Sequence, residues 1–183
     1  IKKLVREVLD DISCYFNQVI EVDISPKGLE EWVEVFRFIQ GYEVWESYGG
    51  WIRKHRPRLS RGPKERLDWA STIERGQYKK ALSKRKDIIA RIEDLLADDG
   101  LVFIPTAASI APLRTTSLKE IESTRLQSSA LLAISPLTNI PQINLPLTKM
   151  DGMPFGISFL SPAYSDRALV DLSMKILGDQ INE

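Results

Sequence analysis

Apolar positions along the chain recur at two periods, and the changes between them divide it into elements. Over residues 1 to about 16, Leu4, Val5, Val8, Ile12 and Phe16 fall at helical spacing, and Val19-Ile20-Glu21-Val22-Asp23 then alternates as a strand does. Ser25-Pro26 opens a second helix carrying Leu29, Trp32, Val33, Phe36 and Ile39, with its end expected near Gly49-Gly50. Gly62-Pro63 begins a third, since proline is tolerated in a first turn, with Leu67, Ala70 and Ile73 as a weak apolar face. Tyr78, Leu82, Ile89, Ile92 and Leu96 mark the clearest amphipathic helix. Its Lys79, Lys80, Lys84, Arg85 and Lys86 have Asp87, Glu93 and Asp94 as neighbours, so they read as a solvated face rather than a ligand site.

The second half is richer in strands. Leu101 to Ile104 carries no charge between Gly100 and Pro105, which predicts a strand buried on both faces. Residues 117 to 133 read as a helix. A Pro-broken loop from Leu137 then runs into a short alternating segment, an Asp151-Gly152/Met153-Pro154 turn and a second alternating segment, so two strands joined by a tight reversal are expected. Residues 166 to 177 close the chain as a helix, with Ser165 as N-cap and Gly178 just past the end. The fold class is α/β, with no visible repeat or low-complexity linker.

Composition narrows the partners. With 43% hydrophobic residues the 183-residue chain has ample material for a core. Its 25 basic and 25 acidic residues sum to zero, so no long-range field favours nucleic acid. No apolar run reaches the roughly 18 residues a membrane-spanning helix needs, so no membrane is expected either. The single Cys14 rules out an intrachain disulfide and any Cys-based metal site, and its helix makes burial the expectation. The lack of an apolar signal segment makes a cytoplasmic location the default. Ile rather than Met at position 1 points to a piece of a longer chain.

Few side chains suggest chemistry on their own. His55 lies in Arg53-Lys54-His55-Arg56, where neighbouring charge disfavours imidazolium, and reads as a surface residue. Thr116 and Lys119 lie one helical turn apart, a spacing common on exposed helices. Ser128-Ser129 sits in a helix-compatible run, whereas a nucleophile needs a turn that aims backbone N–H groups at an oxyanion. Trp45, Tyr48 and Trp51 flank a Gly-Gly pair and could line a pocket or fill a core. Thr106 and Asn139 lie in Pro-containing loops at strand ends, where open α/β sheets collect ligands.

The stretch Leu137-Thr138-Asn139-Ile140-Pro141-Gln142-Ile143-Asn144-Leu145-Pro146-Leu147, followed by Asp151-Gly152-Met153-Pro154-Phe155-Gly156-Ile157-Ser158-Phe159, resembles the C-terminal strand pair of the amidase signature family. Leu101 to Thr106 with Ala111-Pro112 is similar to the family's buried strand and Pro-Thr loop, and Ser161-Pro162 with Ser165-Asp166 to the start of its closing helix. Tyr42 to Ile52 and Gly62 to Arg66 resemble the helical region of plant indoleacetamide-type amidases. The resemblance implies a mixed β-sheet flanked by helices, with residues 1–183 as the C-terminal portion of an amidase signature domain.

It also implies a serine amidohydrolase acting on small-molecule amides through a Ser-Ser-Lys mechanism, without metal or organic cofactor. The Gly/Ser-rich loop that would carry those groups is not in this chain, so no catalytic residue is assigned and the segment alone is expected to be inactive. Trp51, Thr106 and Asn139 become the substrate-side candidates. The alternative is a non-catalytic docking module or an amidotransferase subunit from the same family. Strand edges exposed in such a segment would favour homo-oligomers or pairing with an N-terminal half.

Overall fold

Alternating apolar residues build the centre of the molecule. The computed structural model describes residues 1–181. Among them β2 (Gln142–Met150) and β3 (Met153–Leu160) form a hairpin in which Ile143 faces Phe159 and Leu145 faces Ile157. Asp151 and Gly152 reverse the chain with φ of 53° and 76°, the paired positive values that suit a two-residue hairpin loop. β1 (Val102–Pro105) pairs with the other edge of β3, giving the order β1-β3-β2. All these pairings are antiparallel, so the mixed sheet implied for the whole fold is represented in this segment by antiparallel pairs. Pro146 lies in the irregularity between Leu145 and Thr148, where a missing N–H breaks no ladder.

Helices cover both faces of this sheet. On one, Phe155, Ile157 and Phe159 pack with Val8 and Ile12 of α1 (Lys2–Ile12) and with Leu169 and Ile176 of α7 (Asp166–Ile181). On the other, Val102, Ile104 and Leu160 meet residues of α2 (Glu30–His55), α4 (Arg75–Leu96) and the short α6 (Ile134–Thr138). Each large side chain buried in this way contributes about 1.5–3 kcal/mol. α3 (Arg61–Ala70) packs on α2, and α5 (Leu118–Leu132) leads into α6. The α/β arrangement of a sheet flanked by helices is therefore present.

Several local expectations are corrected. Segment 19–23 forms no strand: Val19, Ile20 and Val22 are exposed, and Arg91 donates to the carbonyls of Asp23 and Ile24, which leaves no ladder for them to join. α2 runs through Gly49-Gly50 to His55, because Gly49 makes room for the Trp45 ring, whose atoms a Cβ there would meet at 2.9 Å. Arg56 ends the helix in a left-handed conformation, and Pro57 cannot continue it. Cys14 is exposed rather than buried, since α1 gives way to a 3-10 turn at Ser13–Tyr15. β1 is an edge strand with Val102 and Ile104 buried and Phe103 and Pro105 half-buried. α7 continues past Gly178, where a Cβ would meet no described atom within 4 Å and nothing forces a stop.

Candidate functional site

The sheet face shared with α2, α4 and α6 changes character along its length. Val102, Ile104 and Leu160 are buried and apolar, but beyond them the same face carries Gln142, Asn144, Ser158 and Thr106. Asn144 pairs with Ser158 across β2 and β3, while the Thr106 N–H donates to the Gly156 carbonyl at 3.0 Å and extends the β1 edge by one residue.

The hydrogen bonds among these side chains run in one direction. Thr106 directs its hydroxyl proton to Asn144 Oδ1 at 2.5 Å. A hydroxyl has one proton, so the 2.7 Å contact between Thr106 and Ser158 uses the proton of Ser158. Ser158 in turn accepts from Gln142 Nε2 at 2.9 Å. The chain of donors ends at the Asn144 carbonyl oxygen, leaving the Asn144 amide nitrogen as a donor at an exposed position. Ser158 is fully buried at its centre.

Three residues before Gln142 the chain borders a groove of about 410 Å³ between α2, α4 and α6. Phe36, Ile39 and Leu137 supply apolar wall, and Tyr48, Arg85 and Asn139 line it as well. Arg85 Nε donates to the Leu137 carbonyl at 2.6 Å, placing a cation at the end of α6. Glu43, on the same groove, accepts from the Tyr78 hydroxyl at 3.0 Å. Burial, with Glu43 as a lesser cause, raises the Tyr78 phenol above its ordinary value.

The structure separates the three substrate-side candidates. Thr106 belongs to the polar relay and Asn139 to the groove, where its φ of 61° supplies the left-handed turn after α6. The loop around Asn139 is closed by Ser135, whose hydroxyl donates to the Ile140 carbonyl at 2.7 Å, a role expected of Asn139 itself. Trp51 lies on the last turns of α2, 54% exposed and against His55 at a ring distance of 5.2 Å, outside the groove. Ser128 lies within α5 and accepts from the Ala108 N–H, and no lysine among the described residues donates to a serine hydroxyl. Sequence reasoning does not single out Gln142, Asn144 or Ser158. Their signal is the pair of polar residues at alternate positions of β2, legible only once the register with β3 sets them on one face.

No protein-family model matches the chain. Amidase 1 of Arabidopsis thaliana is 26% identical over 136 residues, covering 74% of this chain and 32% of that protein. The chloroplastic outer envelope protein 64 of the same plant is 27% identical over 139 residues, 75% of this chain and 23% of its own length. Among solved structures, an amidase superposes with a TM-score of 0.77 at 20% identity, over 97% of this chain and 41% of that one. A bacterial aryl acylamidase described as an amidase signature enzyme gives 0.71 at 13% identity, over 92% and 38%. The chain belongs to the amidase signature family. It corresponds to the C-terminal part of such proteins and spans about a third of the length of the amidases it matches. In this amidase signature segment the hairpin β2-β3 carries the polar relay, and α2, α4 and α6 frame the groove beside it. No described helix is long and apolar enough to cross a membrane.

Proposed function

We propose that this segment forms framework and pocket wall of a serine amidohydrolase that cleaves the C–N bond of small carboxylic amides. The reading is supported above all by the likeness to amidases along most of the chain, on a hairpin whose exposed end holds an ordered run of hydrogen-bonding side chains. In this mechanism a serine from outside residues 1–183, deprotonated through a second serine and a lysine, attacks the amide carbonyl. Backbone N–H groups hold the oxyanion, the amine leaves with a proton, and water releases the acid from the acyl-enzyme. Thr106 and Asn139 are the substrate-side residues: Thr106 orients the Asn144 amide, and Asn139 shapes the groove mouth. Trp51 lies one helical turn beyond Tyr48 and is the weakest of the three in this role. The location proposed is cytoplasmic. The open edges of β1 and β2 favour pairing with the remainder of the domain or with a second copy.

The test is amide hydrolysis by the protein in its full extent, against purified residues 1–183. Saturable release of amine or ammonia from aryl amides by the former and none by the latter is expected. Turnover by residues 1–183 alone, or no amide hydrolysis by the longer protein, overturns the reading. In the second case the docking module becomes the better account, a reading favoured by the match to the outer envelope protein.

A further inference from the structure

Between Glu46 and Glu65 the chain has no carboxylate side chain, and Arg53, Lys54, Arg56, Arg58, Arg61 and Lys64 all fall within that interval. A net charge of zero conceals this local excess. Arg61 and Lys64 are engaged by Glu65 at 2.7 Å and Asp68 at 2.6 Å, and Arg53 lies over the Trp45 ring at 5.2 Å. Lys54, Arg56 and Arg58 are exposed and have no anionic partner among the described residues.

The backbone presents these cations at a blunt end. α2 stops at Arg56 in the left-handed conformation, Pro57 follows, and residues 56–60 take no regular structure before α3 starts. Trp51 and Leu59, 54% and 39% exposed, stand among the cations with their apolar surface open to solvent. We propose that this α2–α3 junction docks on an anionic lipid bilayer, its cations against the headgroups and Trp51 and Leu59 in the interfacial layer. Clustered Lys and Arg beside an exposed indole suit that interface. Single-stranded nucleic acid fits less well: His55 covers one side of the Trp51 ring, and aliphatic Leu59 offers a base nothing to stack on.

The experiment is vesicle flotation with purified protein, using phosphatidylcholine alone and phosphatidylcholine mixed with phosphatidylserine. Binding to the mixed vesicles only, weakened by salt, with a blue shift of tryptophan emission that Trp51→Phe removes, is expected. Lys54→Gln/Arg56→Gln/Arg58→Gln lowers partitioning by about a hundredfold, roughly fivefold for each cation. Arg58→Gln alone, in the irregular segment where no helix depends on it, gives roughly the single fivefold step. Equal binding to neutral vesicles, no binding to either, undiminished binding by both variants, or preference for RNA oligomers over the mixed vesicles overturns the proposal.

Discussion

Gly156 and Asn144 approach each other across β2 and β3 so closely that a Cβ at position 156 would overlap the Asn144 carbonyl oxygen. That oxygen is where the polar relay ends, held by the Thr106 hydroxyl. Glycine at 156 is therefore a condition for the placement of Asn144. Gly156→Ala is expected to turn the Asn144 side chain away from Thr106 at a cost of about 1–2 kcal/mol, the order of one lost hydrogen bond with some crowding. Chemical denaturation measures the cost, and the NMR shift of the Asn144 amide reports the displacement. An unmoved Asn144 resonance would show that β3 shifts instead.

Ser158 is the relay's buried joint, accepting from Gln142 and donating to Thr106. Ser158→Ala removes both bonds and strands part of the Gln142 amide beside the core, so a loss of about 1–3 kcal/mol is expected. Thr106→Ala in the same background should then cost less than it does alone. Strict additivity in that double-mutant cycle would mean the two hydroxyls act independently.

The elements with strong periodic patterns are legible from sequence. The buried positions Ile92 and Leu96 of α4 and the paired strands around Asp151-Gly152 follow from spacing and turn chemistry alone. Failures come where a neighbour decides. The alternation of segment 19–23 is that of a strand, but Arg91 takes its carbonyls. Gly49-Gly50 reads as a helix stop, yet the Trp45 ring occupies the space a side chain would need. Thr106 and Asn139 can be nominated from their loops, whereas the relay around Thr106 joins residues 38 and 52 positions apart and needs the sheet register to be seen.

α5 has no buried residue, so its ends weigh heavily in its stability. Ser117 accepts from the Glu120 N–H at 3.3 Å, and the Glu120 carboxylate accepts from the Ser117 N–H at 3.1 Å, a reciprocal cap. The bonds from Ser117, side chain first, hold the Glu120 carboxyl below its ordinary value. Ser117→Ala is expected to cost about 1 kcal/mol. Faster amide exchange in the first turn of α5, with α4 unchanged, is the signature to measure.

Glu21 ties the irregular segment to α1, receiving Lys2 at 2.5 Å and Arg6 at 2.6 Å. Hydrogen bonds from Lys2 and then Arg6, with their charges, lower its carboxyl from 4.5 to about 2. A depressed folded-state value means that the unfolded chain takes up the proton first on acidification. The tether's contribution is therefore complete above about pH 4.5, declines as pH falls from there, and is gone below about 2. All three side chains are exposed, so the contribution is small and weakens with salt. A carbon-13 NMR titration of the Glu21 carboxyl should show a midpoint near 2 at low ionic strength, moving upward with added salt. Glu21→Gln should make amide exchange in residues 17–23 fast at neutral pH. A midpoint near 4.5 would mean that Lys2 and Arg6 do not hold the carboxylate in solution, and that segment 19–23 is fixed to the fold through Arg91 alone.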